Sequence, residues 1–387
     1  MARYHQMGTI PQKRHSVFRK EDQTLYREQV MGTKGFSGIQ SILYHQHPPT
    51  QFFKSSLFGH CSIEFEEPSV LRPRHFYTDR VNKKLHDAVM GREYILGNED
   101  LFIGVVNPTE SMEYFYRNSN GDELLFVHRG TGKIESIFGT LHYQPGDYLV
   151  IPIGTIYRIE PTTEDSKFLV IETNSWITTP KRYRNEFGQL LEHSPFCERD
   201  IHGPEKLVTH TEQGEYEVRT KSGEYLHSHF YEHHPLDVVG WDGFLYPWKL
   251  NIADFEPITG RIHQPPPVHQ TFEGHNFVVC SFVPRLYDYH PEAIPAPFYH
   301  SNIDSDEVLY YVEGNFMSRK GIQAESLTLH PAGIPHGPHP GKVEESIGKK
   351  ETFELAVMID TFRPLKVVQT EQQLEDGGYQ YSWLEKR

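Results

Sequence analysis

A chain of 387 residues is long enough to bury two or three domain-sized cores. Its 38 basic and 52 acidic residues leave a net charge of −14, which argues against nucleic acid or an anionic membrane surface as a partner, since both attract clustered Lys and Arg. No apolar run approaches the roughly 18 residues that a membrane span needs. The polar opening stretch through Asp22 has no apolar h-region, so it does not read as a secretory signal. Cys61, Cys197 and Cys280 form no CxxC and no obvious disulfide framework, and a reducing cytoplasm is the expected setting. The 24 histidines and 13% aromatics by themselves describe a β-protein with aromatic strands and a His-rich surface.

Taken in chain order, residues 1–35 are polar and Lys/Arg-rich and read as an arm that packs on a neighbour or elsewhere on its own subunit. From 40 to 110 apolar residues come in short bursts, such as Ser41-Ile42-Leu43-Tyr44 and Tyr94-Ile95-Leu96, broken by Gly and Pro. That rhythm predicts a sandwich or barrel of short strands. No segment keeps a 3.6-residue period; short helices are expected only over 79–89 and 179–190. Residues 115–173 carry a strand-rich block, and 176–235 reads as a connecting region. Within 225–255, His227, His229, His233 and His234 invite a metal reading. No carboxylate-fixed strand pair frames them, so they are set aside, and Trp241, Tyr246 and Trp248 are expected to plug a barrel.

The most informative stretch is 298–338. The alternating run Val308-Leu309-Tyr310-Tyr311-Val312 after Glu307 predicts a strand ending at Gly314. A second strand, 326–330, leads into the turn Pro331-Ala332-Gly333-Ile334-Pro335, with His336 just beyond. Antiparallel pairing would let His300, Glu307 and His336 converge on one metal. Two imidazoles and one carboxylate leave coordination positions free for substrate and O2, as in non-haem Fe(II) oxygenases. The spacing resembles the two-part pattern of cupin barrels. The same scaffold recurs earlier: Glu123 falls on Glu307, Gly130 on Gly314 and Gly154 on Gly333, while Tyr116 and Tyr157 fall where His300 and His336 stand. The first copy therefore reads as metal-free. The expected fold is mainly β, a bicupin of two jelly-roll, cupin-like halves with few short helices. Its expected parts are 1–175 (arm and metal-free cupin), 176–235 (connection) and 236–387 (catalytic cupin).

Several runs carry a more specific resemblance. They are Leu25-Tyr26-x-Glu28-Gln29, Gly121-Asp122-Glu123-Leu124-Leu125-Phe126-Val127, Tyr231-x-x-His234-Pro235-x-Asp237-Val238-Val239-Gly240-Trp241-Asp242-Gly243, Pro297-Phe298-Tyr299-His300-x-Asn302 and Pro335-His336-Gly337-Pro338. Together they resemble the homogentisate 1,2-dioxygenase family, in the family's order, over roughly residues 25–370. The resemblance implies Fe(II) held by His300, Glu307 and His336, His263 as the acid/base, and His330 lining the pocket. An imidazole exchanges protons near neutral pH, as that role for His263 requires. Asn302, Phe316 and Arg285 are further candidate substrate contacts, with Arg285 placed to steady a carboxylate. Here Ser301 stands where the family typically has Arg, Phe316 where it has Tyr, and one residue more separates His300 from Glu307. The implied reaction opens the ring of a hydroquinone carboxylic acid with O2. Homogentisate would give 4-maleylacetoacetate, in tyrosine and phenylalanine catabolism, and the resemblance implies a trimer or hexamer. A gentisate-like ring-cleaving cupin, or a metal-binding cupin that is an isomerase or no enzyme, remains the alternative.

Overall fold

The computed structural model describes residues 3–81, 86–314, 316, 319, 321–370 and 372–384. Short strands build it, and among the described residues the single α-helix is Lys342–Ser346. Two similar groups of strands dominate. In the first, Glu123–Arg129 lies between Asp147–Ile151 and Lys167–Thr173. In the second, Asp306–Glu313 lies between Ser326–His330 and Leu355–Thr361. The central strands end at Gly130 (φ 92°) and Gly314 (φ 111°), in a backbone region where a side chain would be strained.

Strand alternation sorts the side chains into three layers. Leu125 and Val127 turn into the first barrel with Val106, Ile151, Phe168 and Val170. Leu309 and Tyr311 turn into the second with Phe316 and Ala356. The opposite faces, Leu124 and Phe126 on one strand and Val308 and Tyr310 on the other, meet in a shared core that also takes in Phe272 and Ile359. The shared core is what welds the halves together.

The turns repeat as closely as the strands. The Asp122 carboxylate accepts the N–H groups of Ile153 and Ile177, each at 2.8 Å. Asp306 accepts those of Ala332 at 2.8 Å and Leu365 at 2.7 Å. Gly154 and Gly333, both at φ 80°, donate to the carbonyls of Asn118 and Asn302. These paired stitches set the turn that delivers Tyr157 in one copy and His336 in the other.

Pairing across the molecule departs from the expected boundaries. Gln213–Ser222 pairs with Phe115–Asn118, and Trp248–Asn251 with Asp147–Ile151. Most of 176–235, and 236–252 after it, thus extends the first half instead of linking two bodies. Arg74–Tyr77 crosses over to pair with Ser326–His330, and Lys366–Val367 crosses back to Glu93–Gly97. The N-terminal arm folds onto its own chain, His5–Gly8 pairing with Val238–Gly243.

The two expected helices do not form as α-helices. Thr78–Arg80 and Lys181–Tyr183 are single 3₁₀ turns, and residues 82–85 lie outside the described residues. Asp87 accepts from the amides of Val89 and Met90, and Asn185 from those of Phe187 and Gln189. Such local side-chain bonds compete with helix propagation.

Candidate metal centre

His300 and His336 exchange backbone hydrogen bonds, N–H to C=O, at 2.9 Å in both directions. The pair sits beside the start of the Glu307 strand. Each imidazole turns its Nδ1 back to a carbonyl two residues earlier, His300 to Phe298 at 3.2 Å and His336 to Ile334 at 3.3 Å. That contact fixes which nitrogen faces the site. Both Nε2 atoms then face Glu307, at 3.7 Å from His300 to Oε2 and 3.4 Å from His336 to Oε1. One ligand atom from each of the three residues lies within 4.8 Å of the others. His336 Nε2 is buried and has no hydrogen-bond partner among the described residues, which is costly unless an ion fills the gap. The residues therefore fit a transition cation, with the open positions that two imidazoles and a carboxylate leave.

Behind this triad stands a layer that the sequence pattern only partly indicated. His330 is fully buried. Its Nδ1 meets Glu307 Oε1 at 2.8 Å, its Nε2 meets the Tyr379 hydroxyl at 3.0 Å, and its ring stacks on His336 at 4.6 Å. It backs the carboxylate, with both ring nitrogens engaged. Burial holds its pKa down to about 4 in the metal-free protein, despite Glu307. Burial opposes ionisation of Glu307, but the three imidazoles of His300, His330 and His336 around it keep its pKa well below the carboxylate range. The bond to Glu307 outweighs burial at His300 and raises its pKa.

Two residues there were missed. Asp360 pairs in register with Glu307, and one of its buried oxygens has no partner among the described residues. Burial and the Glu307 charge push it up to about 7, against the pull of His300. Only the strand register, invisible in the local pattern, brings it here. Arg319 is buried near Glu307, donates to the carbonyl of Gly337 and leaves its Nε unpartnered among the described residues.

The first barrel holds the same frame with different contents. Tyr116 and Tyr157 are register partners. The Tyr157 hydroxyl donates to Glu123 at 2.6 Å. Arg92 occupies the middle, donating to Glu123, to Glu172 at 3.1 Å and to the Tyr157 oxygen at 3.2 Å. Lys221 reaches the other oxygen of Glu172. A cavity of about 200 Å³ opens beside this cluster, lined by His60, Tyr94 and Tyr116 among others.

The family model "Homogentisate 1,2-dioxygenase N-terminal" matches residues 5–252. A Saccharolobus solfataricus protein, named provisionally as a dioxygenase, is 41% identical over 99% of both chains. The chain belongs to the homogentisate 1,2-dioxygenase family. The family-model match ends before His300, so it bears on the first half and not on the triad. Homogentisate 1,2-dioxygenases of Nitrobacter hamburgensis and Mus musculus are 27% and 25% identical over 72% and 81% of this chain. The chain spans 65% and 75% of their lengths. Among solved structures, a cupin 2 conserved barrel domain protein from Leptotrichia buccalis aligns with 79% of this chain and all of its own, at 10% identity and a TM-score of 0.36. The described architecture is mainly β, with two similar groups of strands around a shared core. No described helix is long and apolar enough to cross a membrane.

The remaining expected family residues are scattered. His263 is exposed on a loop, its Nδ1 2.8 Å from Asp288 Oδ2. It meets the edge of the Phe298 ring, which in turn meets His300, at centroid distances of 5.3 and 5.7 Å. One aromatic ring thus stands between it and the triad. Asn302 serves the turn through its carbonyl. Phe316 packs inside the barrel against Tyr311, at 4.5 Å. Arg285, a candidate to steady a substrate carboxylate, is engaged in a salt bridge in this structure. It pairs with Glu354 at 3.1 Å and donates to the carbonyl of Val283, because the short strand Arg285–Leu286 pairs with Glu351–Thr352.

Proposed function

We propose that this chain is an Fe(II)-dependent dioxygenase that opens the aromatic ring of a hydroquinone carboxylic acid, with homogentisate the leading substrate and 4-maleylacetoacetate its product. The observation that carries the reading is the convergence of His300, Glu307 and His336, with His336 Nε2 buried and unpartnered. Iron held by His300, Glu307 and His336 would supply open coordination positions and redox chemistry for O2. The chain's residues do the rest. His330 and the two backbone carbonyls hold the ligands in orientation before iron arrives. Arg319 offers a buried positive charge to the substrate carboxylate, the role that Arg285 is too engaged to take. His263, aligned by Asp288, takes the phenolic proton and returns it once the loop brings its free nitrogen to the substrate.

A gentisate-like ring-cleaving reading is the alternative, since Phe316 offers no hydroxyl where the family resemblance implies a Tyr. The deciding assay reconstitutes the full chain anaerobically with Fe(II) and follows O2 uptake and product absorbance for homogentisate, gentisate and related hydroquinone acids. Homogentisate should be consumed fastest, and His336→Ala should lose iron and turnover together while the β-rich circular dichroism persists. No uptake with any hydroquinone acid by iron-loaded protein sinks the enzymatic reading. Undiminished turnover in His336→Ala sinks the site.

A further inference from the structure

A second group of ligating side chains lies far from the triad. His47 follows the strand Gln40–His45, His233 ends the strand Tyr225–His233, and Asp237 stands just ahead of Val238–Gly243. The histidine-rich run set aside earlier lacked a framing carboxylate in sequence. Folding supplies Asp237 and, from much earlier in the chain, His47. One ligand atom of each lies within 4.8 Å of the others, as in the triad. The two imidazoles stack at 4.3 Å between centroids, and His47 Nδ1 is 3.2 Å from Asp237 Oδ2.

The carboxylate is aimed before any ion arrives. The backbone N–H of His47 donates to Asp237 Oδ2 at 2.8 Å, and His45 Nδ1 meets Oδ1 at 2.7 Å. An outer partner of that kind is what orients a metal-binding carboxylate. His233 is 6% exposed, and its ring lies against that of His47 beside the carboxylate. The His47 side chain is 30% exposed, which gives an ion a way in.

We propose that His47, His233 and Asp237 bind a divalent transition cation of the zinc class, with a fourth position open to water. Two nitrogen donors select against Ca²⁺ and Mg²⁺, which take oxygen ligands. The ion clasps the small sheet that carries the N-terminal arm to the hairpin Gln213–Ser222 and Tyr225–His233. The site acts as a fastener for the arm.

The test titrates the metal-stripped full chain with Zn(II) alone, passes it through gel filtration and measures zinc per chain. The chain should hold two equivalents, His233→Ala one, His336→Ala one, and the double variant none. His233 is buried, so His47→Ala provides a variant at a partly exposed position that leaves the bond from His45 to Asp237 in place. It should lose the same equivalent as His233→Ala. Zinc should also raise the melting temperature of His336→Ala but not of His336→Ala combined with His47→Ala. A single equivalent in the unaltered chain that disappears in His336→Ala overturns the proposal, as do two equivalents that survive both His47→Ala and His233→Ala. Failure of the triad looks different: His336→Ala then binds as much zinc as the unaltered chain, while His47→Ala still loses one equivalent.

Discussion

Tyr116 and Tyr157 face each other in the first barrel across the same kind of bridge that joins His300 and His336 in the second. Each bridge stands beside a buried carboxylate, Glu123 or Glu307, and the register mate of each carboxylate is another acid, Glu172 or Asp360. Two acids buried side by side need a positive partner. The first barrel has one covalently attached, the Arg92 guanidinium, and a second in Lys221. Around them the interior is packed from Val106 to Phe168. In the second barrel no cationic side chain bridges Glu307 and Asp360 among the described residues, Asp360 is pushed up toward neutrality, and the apolar filling shrinks to a small cluster around Tyr311. The lesson is that one frame can be closed with a fixed charge or left ready for an exchangeable one.

Breaking the comparison at its acids should give the largest effect. Glu307→Gln keeps the shape and removes the charge, and its affinity for Fe(II) should fall by more than the roughly 100-fold that loss of an outer partner can cost. Glu123→Gln should leave iron content and turnover per folded molecule unchanged. Anaerobic iron titration of both variants checks this, and equal losses would erase the distinction between the copies. Next in size is Arg92→Met. Stripping one partner from a buried ionic cluster costs about 3–5 kcal/mol, so the denaturation midpoint should drop sharply while the iron stoichiometry of the folded fraction holds.

The smallest effect tests a feature that the copies share. Burial raises the Asp122 carboxyl to about 6, even though the N–H groups of Ile153 and Ile177 favour its ionised form. An unfolded aspartate titrates near 3.9. Between the two values the folded chain keeps a proton that the unfolded chain has lost, so this group's stabilising contribution is complete below about pH 4 and is lost as pH rises to about 6. The slope from this one group is at most about 1.4 kcal/mol per pH unit. Urea midpoints at pH 4, 5 and 6 should show that slope in the unaltered chain and a flatter one in Asp122→Asn.

Much of this was legible because the spacing between residues in a strand and its turn is set by local geometry. His300, Glu307 and His336 lie within one such span, and so do Tyr116, Glu123 and Tyr157, so both copies could be aligned by residue type alone. What escaped depends on contacts between distant segments. Arg92 enters the first barrel from a separate strand, Asp360 reaches Glu307 only through pairing register, and His47 meets His233 across most of the first half. The helix expectations failed where Asp87 and Asn185 spend their side chains on nearby amides. The strand exchange was also invisible locally, since Arg74–Tyr77 and Lys366–Val367 find their partners far along the chain.

That exchange has a consequence for anyone who would cut the molecule. Ser326–His330 takes Arg74–Tyr77 as its outer neighbour, and the turn before it is pinned by Glu325 to Lys167 and Arg129 of the other half. A fragment starting at residue 256 would expose a bare row of amides and carbonyls on the strand that carries His330, with the Glu325 anchor gone. Such an open edge recruits strands from other molecules, so the excised second half would clump before it could be assayed.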